Sequence, residues 1–163
     1  MKKETKKQLL IGATLVLELL FLLLYLNGRI DRLLDSDMSS EMILGQLLAR
    51  NNGILSDQWY YSTELRVLNT QLIYALFFRL SSNWHFVRMA STLVLWCVLI
   101  ASYGVLCRVM GCKKSFGVTA LLLAAPVSES YFRFVLAGVY YVPHLAIAFA
   151  ALALNEAYFK AKP

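Results

Sequence analysis

The chain has 163 residues, of which 59% are hydrophobic and 16% charged, with a net charge of +6. Soluble domains carry roughly half apolar and about a quarter charged residues; here the apolar residues gather into long runs, which excludes an ordinary soluble domain and points to an integral membrane protein. Cys97, Cys107 and Cys112 suggest neither a disulfide framework nor a metal cluster, and lysines in short tracts beside apolar runs suit lipid headgroups and membrane orientation rather than nucleic acid.

Residues 1–8 form a basic tail containing Lys2, Lys3, Lys6 and Lys7, followed by an apolar run over residues 9–26 that only Glu18 interrupts. A span needs about 17 to 25 such residues, whereas a cleaved signal has an apolar core of about 7 to 15 ending at a small-residue site. The Leu-rich end of this run therefore predicts an uncleaved first span, with the lysines placing the N-terminus in the cytoplasm. Glu18 either lines a polar groove or is a neutral or paired carboxyl in the bundle, with Arg88 or Arg133 as basic partners.

Residues 27–85 form an outer segment too rich in polar detail for a passive turn. Asp37 is expected to cap a helix over about 38–51, in which Met38, Met42, Ile43, Leu47 and Leu48 make an apolar stripe. Gly53 is suited to a left-handed stop. A second amphipathic helix is expected over about 64–80, with Leu65, Leu68, Leu72, Leu76 and Leu80 at helical spacing. Trp59, Tyr60, Tyr61, Trp84 and His85 suit headgroup-level contacts, and the Trp59 to Tyr61 aromatics also suit stacking on a sugar.

A second span is expected over 86–107, with Arg88 near its outer end, then a cytoplasmic turn over 108–114 marked by Arg108, Lys113 and Lys114. The third, over 115–132, is short and broken by Pro126; the fourth covers 139–157 and precedes a lysine-bearing tail over 158–163. The fold expected is all-α, an integral membrane helical bundle with amphipathic interfacial helices in the first outer loop, a multi-pass topology and both termini cytoplasmic. His85 and His144 are too far apart in sequence to suggest paired chemistry, and no glycine-rich phosphate loop or HExxH pattern is present.

The stretch from Asp35 through Glu41, the run Trp59-Tyr60-Tyr61-Ser62-Thr63-Glu64-Leu65-Arg66-Val67, and an arginine at the start of the next span together resemble the N-terminal part of the bacterial polytopic glycosyltransferases of the C-type fold. The resemblance implies a bacterial cell-membrane enzyme that transfers a sugar from a polyprenyl-phosphate donor to an outer-face acceptor. It implies Asp35 and Asp37 as catalytic base or as ligands of Mg²⁺ or Mn²⁺, with Glu41 and Glu64 as weaker acidic candidates. Arg66, Arg88 and Arg133 take the donor-phosphate role in this scheme. Family members continue through further spans, so these residues are expected to be inactive alone, their partners being the bilayer, the lipid-linked donor and additional C-terminal helices. The alternative is a noncatalytic bundle protein or a transporter fragment. A transporter should carry polar groups at mid-membrane in several spans and an internal repeat; only Glu18 fits, and no repeat is visible.

Overall fold

The computed structural model describes residues 2–61 and 69–161, and among these the chain is all helix and connection. The order is α1 (Lys2–Asn27), α2 (Ser36–Asn51), α3 (Thr70–Phe78), α4 (Trp84–Met110), α5 (Lys113–Ala124), α6 (Glu129–Tyr131) running into a π-helical segment (Phe132–Ala137), and α7 (Val142–Ala161). Three stretches are long and apolar enough to cross a membrane: Thr5–Asn27, Trp84–Met110 and Val142–Ala161. A fourth candidate is bent by 86° between Ser115–Ala124 and Glu129–Ala137.

The break follows from Pro126. Proline has no N–H to give the helix, and it drives the preceding residue out of the helical region; Ala125 is accordingly extended and α5 stops at Ala124. At about 1.5 Å per residue α5 covers only about 18 Å, and the leg after Ser128 leaves it at 86°, so the pair is a broken span or a re-entrant turn and not one straight crossing; the Ser128 hydroxyl caps α6 through the Tyr131 amide at 3.1 Å. The broken segment thus extends to Ala137, beyond the expected boundary at 132.

Two pairs of helices set the bundle. Helix α4 packs along α7 in the same direction, with Lys160 Nζ donating to the Val109 carbonyl at 2.5 Å at one end. Helix α1 leans on α5, where a β-carbon on Gly117 would stand 2.6 Å from Ile11. The start of α1, the α4–α5 turn and the end of α7 therefore share one end of the bundle, here the lysine end. The far ends of α1 and α4 are joined by His85, whose Nε2 meets Asn27 Oδ1 at 3.1 Å and whose Nδ1 meets Asp31 at 3.0 Å. The core between them contains Leu22, Leu26, Ile30, Trp96, Leu99 and Val142. Leu10, Leu17, Phe21 and Leu24 stay exposed along α1, the pattern of a helix whose remaining face meets lipid rather than protein.

Over the far end lies a cap made by α2 and α3. Met42, Tyr74 and Val87 form one buried cluster, and Leu44, Leu48 and Ala75 another, with Trp59 and Tyr61 packed against the second. Trp59 and Tyr61 are thus part of the cap's own packing, Tyr61 accepting the Ser56 amide at 2.8 Å, while Tyr60 is 89% exposed. Two expected cap positions are corrected. Asp35, not Asp37, is the N-cap of α2, which begins at Ser36; Asn52 at φ 51°, not Gly53, adopts the left-handed stop. The second outer helix is observed only as Thr70–Phe78, and the part of its expected range over 64–68 lies outside the described residues.

Helix α2 can lie this close to α3 because Gly45 has no side chain: a β-carbon there would stand 2.7 Å from Tyr74 Cβ and 3.0 Å from the Gln71 carbonyl. Gly45→Leu is expected to destabilise the cap by about 1–3 kcal/mol through overpacking. Thermal unfolding in detergent and faster proteolysis within α2 should report it, with α4 and α7 remaining protected.

Candidate functional site at the capped end of the bundle

Asp35 sits where the cap meets the bundle. Its position just before Ser36 makes it the natural acceptor for the unpaired amides of the first turn of α2, and its Oδ1 accepts from the Met38 amide at 2.9 Å. The same oxygen accepts from the Tyr140 hydroxyl at 2.6 Å, a bond across 105 positions of sequence. Burial alone would raise the Asp35 pKa, but the Met38 amide, the Tyr140 hydroxyl and the charge of Arg88 outweigh it and hold the carboxyl below its ordinary value. Tyr140 is pushed far above the usual phenol range, first by burial and then by the Asp35 carboxylate it serves, so it remains a donor.

Tyr140 reaches Asp35 from a tight turn that follows the π-helical segment. Gly138 comes first, where any β-carbon would collide with the Arg133 carbonyl at 2.5 Å and with the Met38 side chain at 2.9 Å. Val139 follows, fully buried and at φ 54°. A β-branched residue at positive φ is strained, by about 1–3 kcal/mol. The surrounding contacts hold it there.

Arg88 lies one turn into α4 and is only 1% exposed. Its Nη2 donates to the Ala137 carbonyl at 3.3 Å and touches Met38 Sδ, so one guanidinium joins α4, the end of the π-helical segment and α2. A cation at that point also meets the negative end of a helical segment. Trp96 Nε1 makes the neighbouring bond, to the Leu136 carbonyl at 2.9 Å. The carbonyls freed where the broken span ends are thereby satisfied by α4. Among the described residues, Arg88 Nε and Nη1, Ser91 Oγ, Thr92 Oγ1 and Asn69 Oδ1 are buried without a hydrogen-bond partner.

Glu41 is also buried, accepting from Asn69 Nδ2 at 3.2 Å and from the Thr70 hydroxyl, which ties α2 to the start of α3. Glu41 and Arg88 are thus buried and Asp35 half-buried, and the charges of all three reach Tyr74 between the cap and the bundle. Asp37 is exposed on the first turn of α2, and Arg133 is exposed. Glu64 and Arg66 lie outside the described residues. Among the described residues Glu18 pairs with neither Arg88, whose guanidinium reaches Met38 and Ala137, nor Arg133. Sequence reasoning passed over Tyr140, Val139 and Gly138; the Tyr140-Tyr141 pair ahead of Pro143 was the only local sign.

As a cation site the pair Asp35 and Asp37 fits poorly. Asp35 Oδ1 already serves two donors, and the Arg88 charge beside it opposes a second positive charge. No group of three or more histidine, cysteine or acidic side chains converges among the described residues.

The fold and this site together define an all-α, multi-pass membrane bundle with a folded polar cap on one end. No protein-family model matches the chain, and no curated protein or solved structure matches it either.

Because the folded pKa of Asp35 is depressed, its contribution to stability is complete above the unfolded value, near about 3.9, and is lost as pH falls below that toward the folded pKa. Unfolding measured across pH 7 to 3 should show this loss in the natural chain. Asp35→Asn, which keeps a good N-cap, should flatten the acid limb. Tyr140→Phe should cost about 1.5–3 kcal/mol at neutral pH, the range for a hydrogen bond to a charged group.

Proposed function

We propose that this chain is a noncatalytic membrane bundle whose folded cap is a docking platform for further segments or partner proteins at the same membrane face. The observation that carries the reading is the arrangement of the cap: Glu41 and Arg88 are buried and Asp35 half-buried, each bonded to the chain itself, while Ile54, Tyr60, Leu76 and Leu80 stand exposed. Large exposed apolar side chains on an otherwise polar outer segment suit a surface that another segment or protein covers. The capped end faces the cell exterior and both termini lie in the cytoplasm, an orientation supported by Lys6 and Lys7, the lysines at 113 and 114, and Lys160 at the opposite end.

A second reading is favoured by one observation, the strained Val139 turn that sets Tyr140 against Asp35. Strain of this kind persists at sites where placement matters. In that reading the chain is the N-terminal part of a bacterial membrane glycosyltransferase, with polyprenyl-phosphate sugar as donor and additional helices completing the groove. Asp35, oriented by Tyr140, and the exposed Asp37 supply the carboxylates, and of the candidate arginines among the described residues the exposed Arg133 is the one open to a donor phosphate. Mg²⁺ or Mn²⁺ is disfavoured at Asp35, whose Oδ1 already serves two donors beside the charge of Arg88.

Two measurements decide. Cysteine introduced at exposed Tyr60 should react with an impermeant maleimide in intact cells, and native Cys112 should not; the reverse would invert the topology. Sugar transfer by cells expressing the complete gene should be unchanged by Asp35→Asn and by Asp37→Ser if the platform reading holds. A loss of about a hundredfold or more in either variant, the scale of a lost general base, with the protein still inserted, would replace it by the transferase reading.

A further inference from the structure

At the lysine end, α1 and α4 stand apart while both touch α5, and the seam between them is a groove of about 720 Å³ open to the side of the bundle. Its walls are Leu15, Val16 and Leu19 from α1 and Ile100, Ala101 and Val105 from α4, with Phe116 of α5 at its base. The groove is apolar along its length apart from Arg108, in the last turn of α4. Arg108 is exposed and makes no ion pair among the described residues, whereas its neighbour across the end of the bundle, Lys160, is held by Glu156 at 3.2 Å and by the Val109 carbonyl.

We propose that this groove holds one acyl chain of an anionic phospholipid, with the lipid phosphate on Arg108. The proposal rests on the bundle's spanning a membrane and is independent of what the capped end does. Three features select this occupant. The groove opens sideways, where lipid tails lie, and is lined for a hydrocarbon chain. It is closed at its back by α5, so a second helix, about 10–12 Å across, would ride over the seam without filling it and would leave Arg108 uncompensated. The mouth lies at the end of the bundle where α1, with Lys6 and Lys7, begins and α4, with Arg108, ends, so an anionic headgroup is matched in charge and a zwitterionic one is not. A guanidinium suits a phosphate in geometry as well as charge.

The test uses the full chain purified in detergent and exposed to phosphatidylglycerol or phosphatidylcholine of identical chains, with bound lipid counted by native mass spectrometry. The natural chain should retain one phosphatidylglycerol with at least about fivefold preference, the scale of one basic residue at a lipid surface. Arg108→Gln should abolish the preference. Ala101→Trp and Val16→Trp, which fill the groove from opposite walls, should each remove the bound lipid, and Leu152→Trp on the exposed face of α7 should not. Retention of both lipids equally by the natural chain, or unchanged retention in both groove-filling variants, would overturn the proposal. Loss of a dimer rather than of lipid in those two variants would also overturn it and assign the groove to a second copy.

Discussion

A guanidinium within the folded chain has to be solvated by the protein itself, and much at the capped end follows from how Arg88 is solvated. Burying an unpaired charge costs several kcal/mol, so Arg88 cannot sit one turn into α4 unless other elements come to it. The broken span delivers the Ala137 carbonyl and α2 delivers Met38, both to Nη2, and the charge of Asp35 compensates the cation as a whole, while Nε and Nη1 stay without hydrogen-bond partners among the described residues. Ala137, Met38 and Asp35 each belong to a segment that would otherwise be loosely placed: a π-helical leg after a proline break and the first turn of an outer helix. The arginine converts a backbone defect into a joint. Trp96 performs the same service for Leu136 one step away, without a charge.

The joint also explains why the cap has a fixed place. Helix α2 meets the bundle through Asp35 and Met38 at its first turn, and it meets α3 through Gly45 and Glu41 further along. The first contact is polar and directional; the second depends on backbone-to-backbone approach, with the buried carboxylate of Glu41 answered by Asn69 and Thr70. Directional bonds at one end and close packing at the other fix both the position and the rotation of α2. Apolar burial of Met42 and Leu48 alone would permit sliding, since it has no preferred geometry.

The membrane character and the long helices were legible because their signal is local and repeated: residues 9–26 and 86–107 contain the apolar density a span requires, and α1 and α4 extend those ranges at each end. Pro126 announced the break in the third segment. The cap of α2 was misplaced because Asp35, Ser36 and Asp37 are all good N-cap residues, and propensity does not separate them. A tyrosine more than a hundred positions away contributes to fixing Asp35 there. Gly45 and Gly138 likewise act through neighbours distant in sequence or through the geometry of a turn, neither of which a period or a motif encodes. Arg88 was visible as an arginine near a span boundary, where a long side chain usually reaches toward water; its inward course depends on the carbonyls of a helix that had first to be broken.

The same geometry reverses the ranking of the two aspartates. Sequence reasoning favours Asp35 for chemistry, on the ground that Asp37 is occupied as a helix cap and Asp35 is free. In the structure Asp35 is the cap, shares its oxygen with Tyr140 and has a depressed pKa. A carboxylate stabilised in its charged form is a weaker base, since proton affinity falls with the pKa. Asp35 is therefore suited to holding charge and position beside Arg88. A proton acceptor at this end would have to be a carboxylate not already satisfied, and exposed Asp37 is the one that the first turn of α2 presents. A site built here would divide the work, with Asp35 setting the field and the turn and Asp37 exchanging the proton. If no acceptor ever approaches Asp37, the identical arrangement is a latch, in which Asp35 Oδ1 ties Tyr140 to the first turn of α2.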